Sequence, residues 1–185
     1  MSTEYRKRRR SWNEPGHGHF LTYSCFRRLP LLNADRTRRW VIDAMAALRQ
    51  NQNVALFAYV IMPEHVHVLL MPNESSYDIA IILAALKAPV ARRAKQHLMD
   101  SDQLDWLEKL TVRYPSREVF RFWQPGGGFD KNIREQRSLR SIIDYIHANP
   151  VRRGLVKSAL DWKWSSAQFW EGHIDVPIKM DDPIE

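Results

Sequence analysis

Residues 59–71 read Tyr59-Val60-Ile61-Met62-Pro63-Glu64-His65-Val66-His67-Val68-Leu69-Leu70-Met71, and no other stretch limits the fold as tightly. Two runs of β-branched, aliphatic and aromatic residues flank a corner at Met62-Pro63-Glu64. Runs this apolar suit strands buried on both faces of a sheet. Side chains alternate along a strand, so His65, His67, Leu69 and Met71 share one face. Their period places the two histidine Cα atoms roughly 6.5 Å apart. A rigid central strand can hold two neutral imidazole nitrogens toward one divalent ion. The plainer reading is a packed, hydrogen-bonded pair with no metal.

The rest of the chain supplies layers around that hairpin. His19 to Arg27 alternates as a first strand, and Asp35 precedes a helical stripe of Trp40, Val41, Ala44, Met45 and Leu48 over about 36–51, for which it is a candidate N-cap. A second helix is expected from Tyr77 to His97, with Pro89 kinking or restarting it. Residues 100–118 read as a partly helical insertion, helical around Asp102 to Lys109. Val119 to Gln124 and Phe129 to Ile133 read as the fourth and fifth strands, joined through Gly126-Gly127-Gly128. Those glycines either turn a hairpin or let backbone approach a ligand. Ser138 is expected to cap a last helix with the stripe Leu139, Ile142, Ile143 and Ile146, ending near Asn149 because Pro150 follows. The order predicts an α+β fold, helices on a mostly antiparallel sheet of about five strands. Residues 1–16 read as a flexible basic arm, 17–150 as the main domain, and 151–185 as an extension whose Trp162, Trp164 and Trp170 pack against it.

The charge is lopsided. The formal net charge is +7, and residues 1–40 hold ten Lys and Arg against three acids, while residues 41–185 balance at eighteen each. The run Arg6-Lys7-Arg8-Arg9-Arg10 fits attraction to a polyanion or a merely solvating tail. The single cysteine, Cys25, excludes an internal disulfide and fits a reducing cytoplasm. No apolar run is long enough to span a bilayer, so no membrane role is expected.

Tyr145 and Asn149 lie one helical turn apart, on the flank of the apolar stripe. With His65 and His67, the Asn149 carbonyl would give a divalent metal two nitrogens and one oxygen. The Tyr145 hydroxyl could then attack a phosphodiester. Read alone, Tyr145 is a half-buried helix tyrosine and Asn149 a C-cap before proline.

The motif Met62-Pro63-Glu64-His65-Val66-His67-Val68-Leu69 resembles the His-hydrophobic-His (HUH) strand of IS200-type single-tyrosine transposases. Phe122-Trp123-Gln124, Phe129-Asp130-Lys131, the run from Asp144 to Leu155 and Trp162-Lys163-Trp164-Ser165-Ser166 are similar to the branch called REP-associated tyrosine transposases. The resemblance runs from about His17 to Trp170 with its motifs in order. It implies a ferredoxin-like HUH sheet with helices on both faces and a dependence on Mg²⁺ or Mn²⁺. It also implies single-stranded DNA substrates containing REP-type hairpins, and location with the nucleoid. By position, it makes His65 and His67 metal ligands, Asn149 the third ligand and Tyr145 the nucleophile of a 5′-phosphotyrosine. Glu64 departs from the pattern, standing where relatives often have Asn, and it either points away from the metal or acts beside it. DNA contacts are expected from the basic arm and from Arg121, Lys131 and Arg134, with Arg113, Arg117, Arg137 and Arg140 as further candidates. Monomer and homodimer both stay open. Two other readings also stay open: a hairpin-binding protein without turnover, and a metal hydrolase that uses water.

Overall fold

The protein, a computed structural model, is described over residues 13–182. Strands β1 (Gly18–Ser24), β2 (Val54–Ile61), β3 (His65–Pro72) and β6 (Phe129–Ile133) form one sheet in the order β2-β3-β1-β6. Every neighbouring pair in it is antiparallel. Helices α1 (Asp35–Gln52) and α2 (Ile79–Asp100) cover one face, packing on Leu21, Tyr23, Val66, Val68 and Leu70. Helix α4 (Gln136–Arg152) covers part of the other, with Ile143 and Ile146 against Phe20, Val60 and Leu69. A register shift between Leu56 and Ala58 turns Phe57 toward the α4 face. The α+β class and the two helical layers expected from sequence are therefore present.

The expected fifth strand, Phe129 to Ile133, is in the sheet as β6, but the expected fourth, Val119 to Gln124, is not. Short helix α3 (Leu104–Lys109) leads into β4 (Thr111–Tyr114), which pairs with β5 (Arg117–Phe120) as a separate hairpin. Val119 and Phe120 belong to that hairpin. Phe122 and Trp123 then turn into the core under α2, and the Trp123 indole N–H donates to the Lys87 carbonyl at 2.9 Å. The nearest pairing partner for Val119 was a few residues upstream, so local closure prevailed over the large sheet.

Both prolines expected to interrupt helices lie inside them. At Pro89 the lost hydrogen bond and ring clash cost about 3 kcal/mol. Burial of Leu83, Leu86 and Val90 beside it contributes about 1.5–3 kcal/mol each, so the helix continues. Beyond Pro150, α4 runs to Arg152 and closes with Arg153 N–H to the Asn149 carbonyl and Leu155 N–H to that of Pro150. The caps also differ from expectation. Ala34 and Glu135 hold the N-cap positions of α1 and α4, with Asp35 and Ser138 in the first turns. Asp35 instead accepts from Lys163, at 2.8 Å.

The two sheet edges differ. Along β2, Ile61 N–H donates to Trp164 and Ser166 N–H to Tyr59, so the C-terminal segment covers that edge. The Trp162 and Trp170 indoles donate to the carbonyls of Ile61 and Phe57, and Trp164 is buried. At the other edge, β6 can pair only because of Gly128. Its φ is +76°, and a Cβ there would lie 2.2 Å from the Thr22 carbonyl oxygen. Gly128→Ala should therefore lower stability by at least about 2 kcal/mol in chemical denaturation. An unchanged midpoint would mean that β6 does not approach β1 this closely.

Candidate active site

The site is built on the α4 face of β3. Thr22 on β1 lies opposite His67 on β3, and its hydroxyl is 2.7 Å from His67 Nδ1. Glu64, buried at the corner before β3, accepts from His65 Nδ1 at 3.2 Å. That bond commits the proton of neutral His65 to Nδ1 and leaves an Nε2 lone pair. His65 Nε2 faces His67 Nε2 at 3.1 Å. The two imidazoles thus turn their outer nitrogens toward one point.

Asn149 completes this end of the site. Its amide N–H donates to the Tyr145 carbonyl at 2.8 Å, which leaves the side-chain oxygen as the acceptor end of an amide that acts on His67. Helix continuation through Pro150 keeps Asn149 in helical geometry and extends α4 toward Arg153. Arg153 Nη1 donates to Glu64 Oε1 at 2.8 Å. Arg153, Glu64 and His65 thus form a chain that ties the end of α4 to the histidine strand. Of the two orientations left open for Glu64, the side chain takes the one behind the His65 ring, away from the facing Nε2 atoms.

Electrostatics keep both imidazoles neutral. Burial first, then the neighbouring His65, pushes His67 down to about 3. Burial also lowers His65, against the opposing pull of Glu64. For Glu64, burial alone would raise the carboxyl, but the hydrogen bond and charge of Arg153, with the hydrogen bond from His65, outweigh it and hold it below the usual range.

Two neutral nitrogens and an amide oxygen suit a divalent cation. Donors about 2.1 Å from an octahedral ion stand about 3.0 Å apart when adjacent, close to the observed imidazole spacing. Among the described residues no group of three His, Cys, Asp or Glu side chains is placed to hold a metal, so a cation between the two imidazoles would have to take a third protein donor of another kind, such as the Asn149 oxygen. The donor set fits the group expected from sequence.

Tyr145 stands beside this set and is 40 % exposed. Its ring centroid lies 5.8 Å from that of His67 and 5.9 Å from that of Phe20. The Arg152 guanidinium carbon sits 5.3 Å from the Tyr145 ring centroid. Phe20 in turn stacks on His67 with centroids 5.5 Å apart. The four residues singled out far apart in sequence therefore share one surface.

The expected DNA-contacting residues are more scattered. Arg6, Lys7, Arg8, Arg9 and Arg10 lie outside the described residues. Arg121 is half-buried near α2, on the face opposite the histidines. Lys131 is exposed on β6, paired with Phe20 and so on the histidine face. Exposed Arg134 lies 3.9 Å from Glu14. Arg113, Arg137 and Arg140 make surface ion pairs with Glu118, Glu135 and Asp144, and Arg117 lies over the Tyr114 ring. Asn13 and Glu14 are fastened, through Ile79 N–H and the Tyr77 hydroxyl respectively, to the start of α2. Thr22, Phe20, Arg153 and Arg28, whose charge acts on His65, were not singled out from sequence. Only three-dimensional proximity joins them to the histidines. Among the described residues no helix is long and apolar enough to cross a membrane.

An antiparallel sheet presenting a histidine pair toward a helix tyrosine is the layout that the motifs led us to expect of a tyrosine transposase. Comparison with known proteins bears out the resemblance to the REP-associated branch. No protein-family model matches the chain. A curated protein of Haemophilus influenzae, described as a putative REP-associated tyrosine transposase, is 26% identical over 166 residues, 80% of this chain and 88% of its own length. A REP-associated tyrosine transposase of Escherichia coli is 23% identical over 125 residues, covering 66% of this chain and 60% of its own length. A solved REP-associated tyrosine transposase bound to a REP hairpin superposes with a TM-score of 0.70 at 21% identity, covering 96% of this chain and 93% of that one. The fold is that of this transposase.

Proposed function

We propose that this chain is a REP-associated tyrosine transposase: a metal-dependent single-stranded DNA endonuclease and strand transferase acting on hairpin repeats. The observation that supports it most is the 3.1 Å approach of two neutral Nε2 atoms beside an exposed tyrosine on the facing helix. His65, His67 and Asn149 would hold Mg²⁺ or Mn²⁺. When bound, the ion supplies Lewis-acid polarisation of a phosphodiester oxygen. Thr22 and Glu64 hold the imidazoles from behind and keep their outer nitrogens directed at the site. Arg152 and Arg28 add positive charge near the position of a phosphate.

Tyr145 carries the covalent step. Its phenolic oxygen forms a bond to phosphorus while the bond from phosphorus to the 3′ oxygen breaks. The phenolic proton is released and the departing 3′ oxygen takes one up. The products are a 5′-phosphotyrosine and a free 3′-hydroxyl. Attack by a 3′-hydroxyl on that phosphotyrosine reverses the step, and an incoming strand makes it a transfer.

The test uses the protein with hairpin oligonucleotides copied from inverted repeats flanking its coding sequence. With Mn²⁺ or Mg²⁺, a protein–DNA adduct should survive a denaturing gel, and chelation by EDTA should abolish it. A free 5′-phosphate product without adduct would make water the nucleophile. Binding with no cleavage under any divalent ion would leave a hairpin-binding protein.

A further inference from the structure

The row of residues crossing the sheet from His67 ends in an exposed aromatic ring. His67 on β3 is opposite Thr22 on β1, and Thr22 is opposite Phe129 on β6. Directly opposed residues of antiparallel strands point to the same face, so all three share the α4 side. At strand spacing, Phe129 lies about 10 Å across the sheet from His67. It is 43 % exposed, although it is a large apolar residue. Phe129 packs edge-to-face on Phe20 with centroids 5.9 Å apart, and Phe20 does the same with Tyr145. An aromatic row thus runs from the candidate nucleophile to the β6 edge, which no described strand covers on its outer side.

The charge beside this row is positive. Lys131 is exposed, two residues on from Phe129 and on the same face. Arg152 lies over the other end, at Tyr145. An exposed ring between cationic side chains is the pairing that single-stranded nucleic acid needs: a surface for a base and charge for its backbone. Gly128 is what brings β6 close enough to present the ring here.

We infer that Phe129 is a stacking subsite for one unpaired base of the substrate strand, within a nucleotide or two of the phosphate at Tyr145, with Lys131 contacting the backbone beside it. Phe129 is a binding residue and takes no part in the covalent step. The inference rests on the proposed function for its ligand, single-stranded DNA, but is read out without cleavage.

The probe is a DNA hairpin with a single-stranded tail of about ten nucleotides, with 2-aminopurine replacing each tail base in turn. The protein is the full chain carrying Tyr145→Phe, so that the probe stays intact. One tail position should be quenched on binding. Phe129→Ala should abolish that quench and weaken binding of the tailed hairpin about fivefold to a hundredfold, leaving a blunt hairpin within about twofold. Phe129→Trp should restore both, whereas Phe129→Leu, which keeps bulk without a ring and guards against a misfolded alanine variant, should not. Unchanged quenching and affinity in Phe129→Leu would overturn the inference. Equal losses on tailed and blunt hairpins would assign Phe129 a structural role instead. A wild-type protein that forms no adduct would remove the nuclease reading, while the quench still decides this one.

Discussion

Tyr145→Phe should abolish the covalent protein–DNA adduct and reduce cleavage at least about 10³-fold, while hairpin affinity changes little. The substitution removes one oxygen and leaves the ring. The edge contacts of that ring with Phe20 and His67, and the Arg152 guanidinium above it, involve ring atoms and survive. The Asn149 amide donates to the backbone carbonyl of residue 145, so its orientation survives as well. Being 40 % exposed, the hydroxyl-bearing ring also contributes little to the core, and thermal stability should shift only slightly. Denaturing gels, binding isotherms and a melting curve on the same preparation separate these effects. Residual cleavage at wild-type rate would remove Tyr145 from the reaction, whatever its position.

The parts of the site legible in the sequence are those that follow from periodicity. Period two put His65 and His67 on one face, and a spacing of four put Tyr145 and Asn149 on one side of a helix. Neither period says what stands behind a side chain. Thr22 reaches His67 from 45 positions away and Arg153 reaches Glu64 from 89, and no local signal marks either pair. Local rules also lost where packing opposed them. Pro150 should have ended α4, but the added turn is fastened by Leu155 N–H and by Arg153 on Glu64. Val119 to Phe122 has the composition of a central strand, yet β4 lies close upstream and captures its first half. The aromatic and apolar content of a stretch reports that it will be buried, and says less about which partner buries it.

His67→Ala should have the other large effect, and it reads out in two ways. Cleavage should fall at least about 10²-fold, because an imidazole lost here removes a metal donor and frees its neighbours, whereas losses at supporting positions such as Glu64 should stay within 10- to 100-fold. The second readout needs no DNA. His67 is held down to about 3 in the folded protein by burial and by His65, while in the unfolded chain it titrates near 6.5. The unfolded state therefore binds the extra proton first. The neutral ring costs nothing above pH 6.5, and stability is lost as the pH falls from 6.5 toward 3, by up to about 1.4 kcal/mol per pH unit. Alanine cannot titrate, so His67→Ala should flatten this part of the stability–pH curve measured in EDTA, even if the cavity lowers stability overall. Thr22→Val, which withdraws the hydroxyl from Nδ1 but keeps His67, should preserve the slope. An unchanged slope in His67→Ala would mean that the ring is not held neutral by burial. The convergence of two neutral imidazole nitrogens, on which the metal-dependent reading depends, would then fail with it.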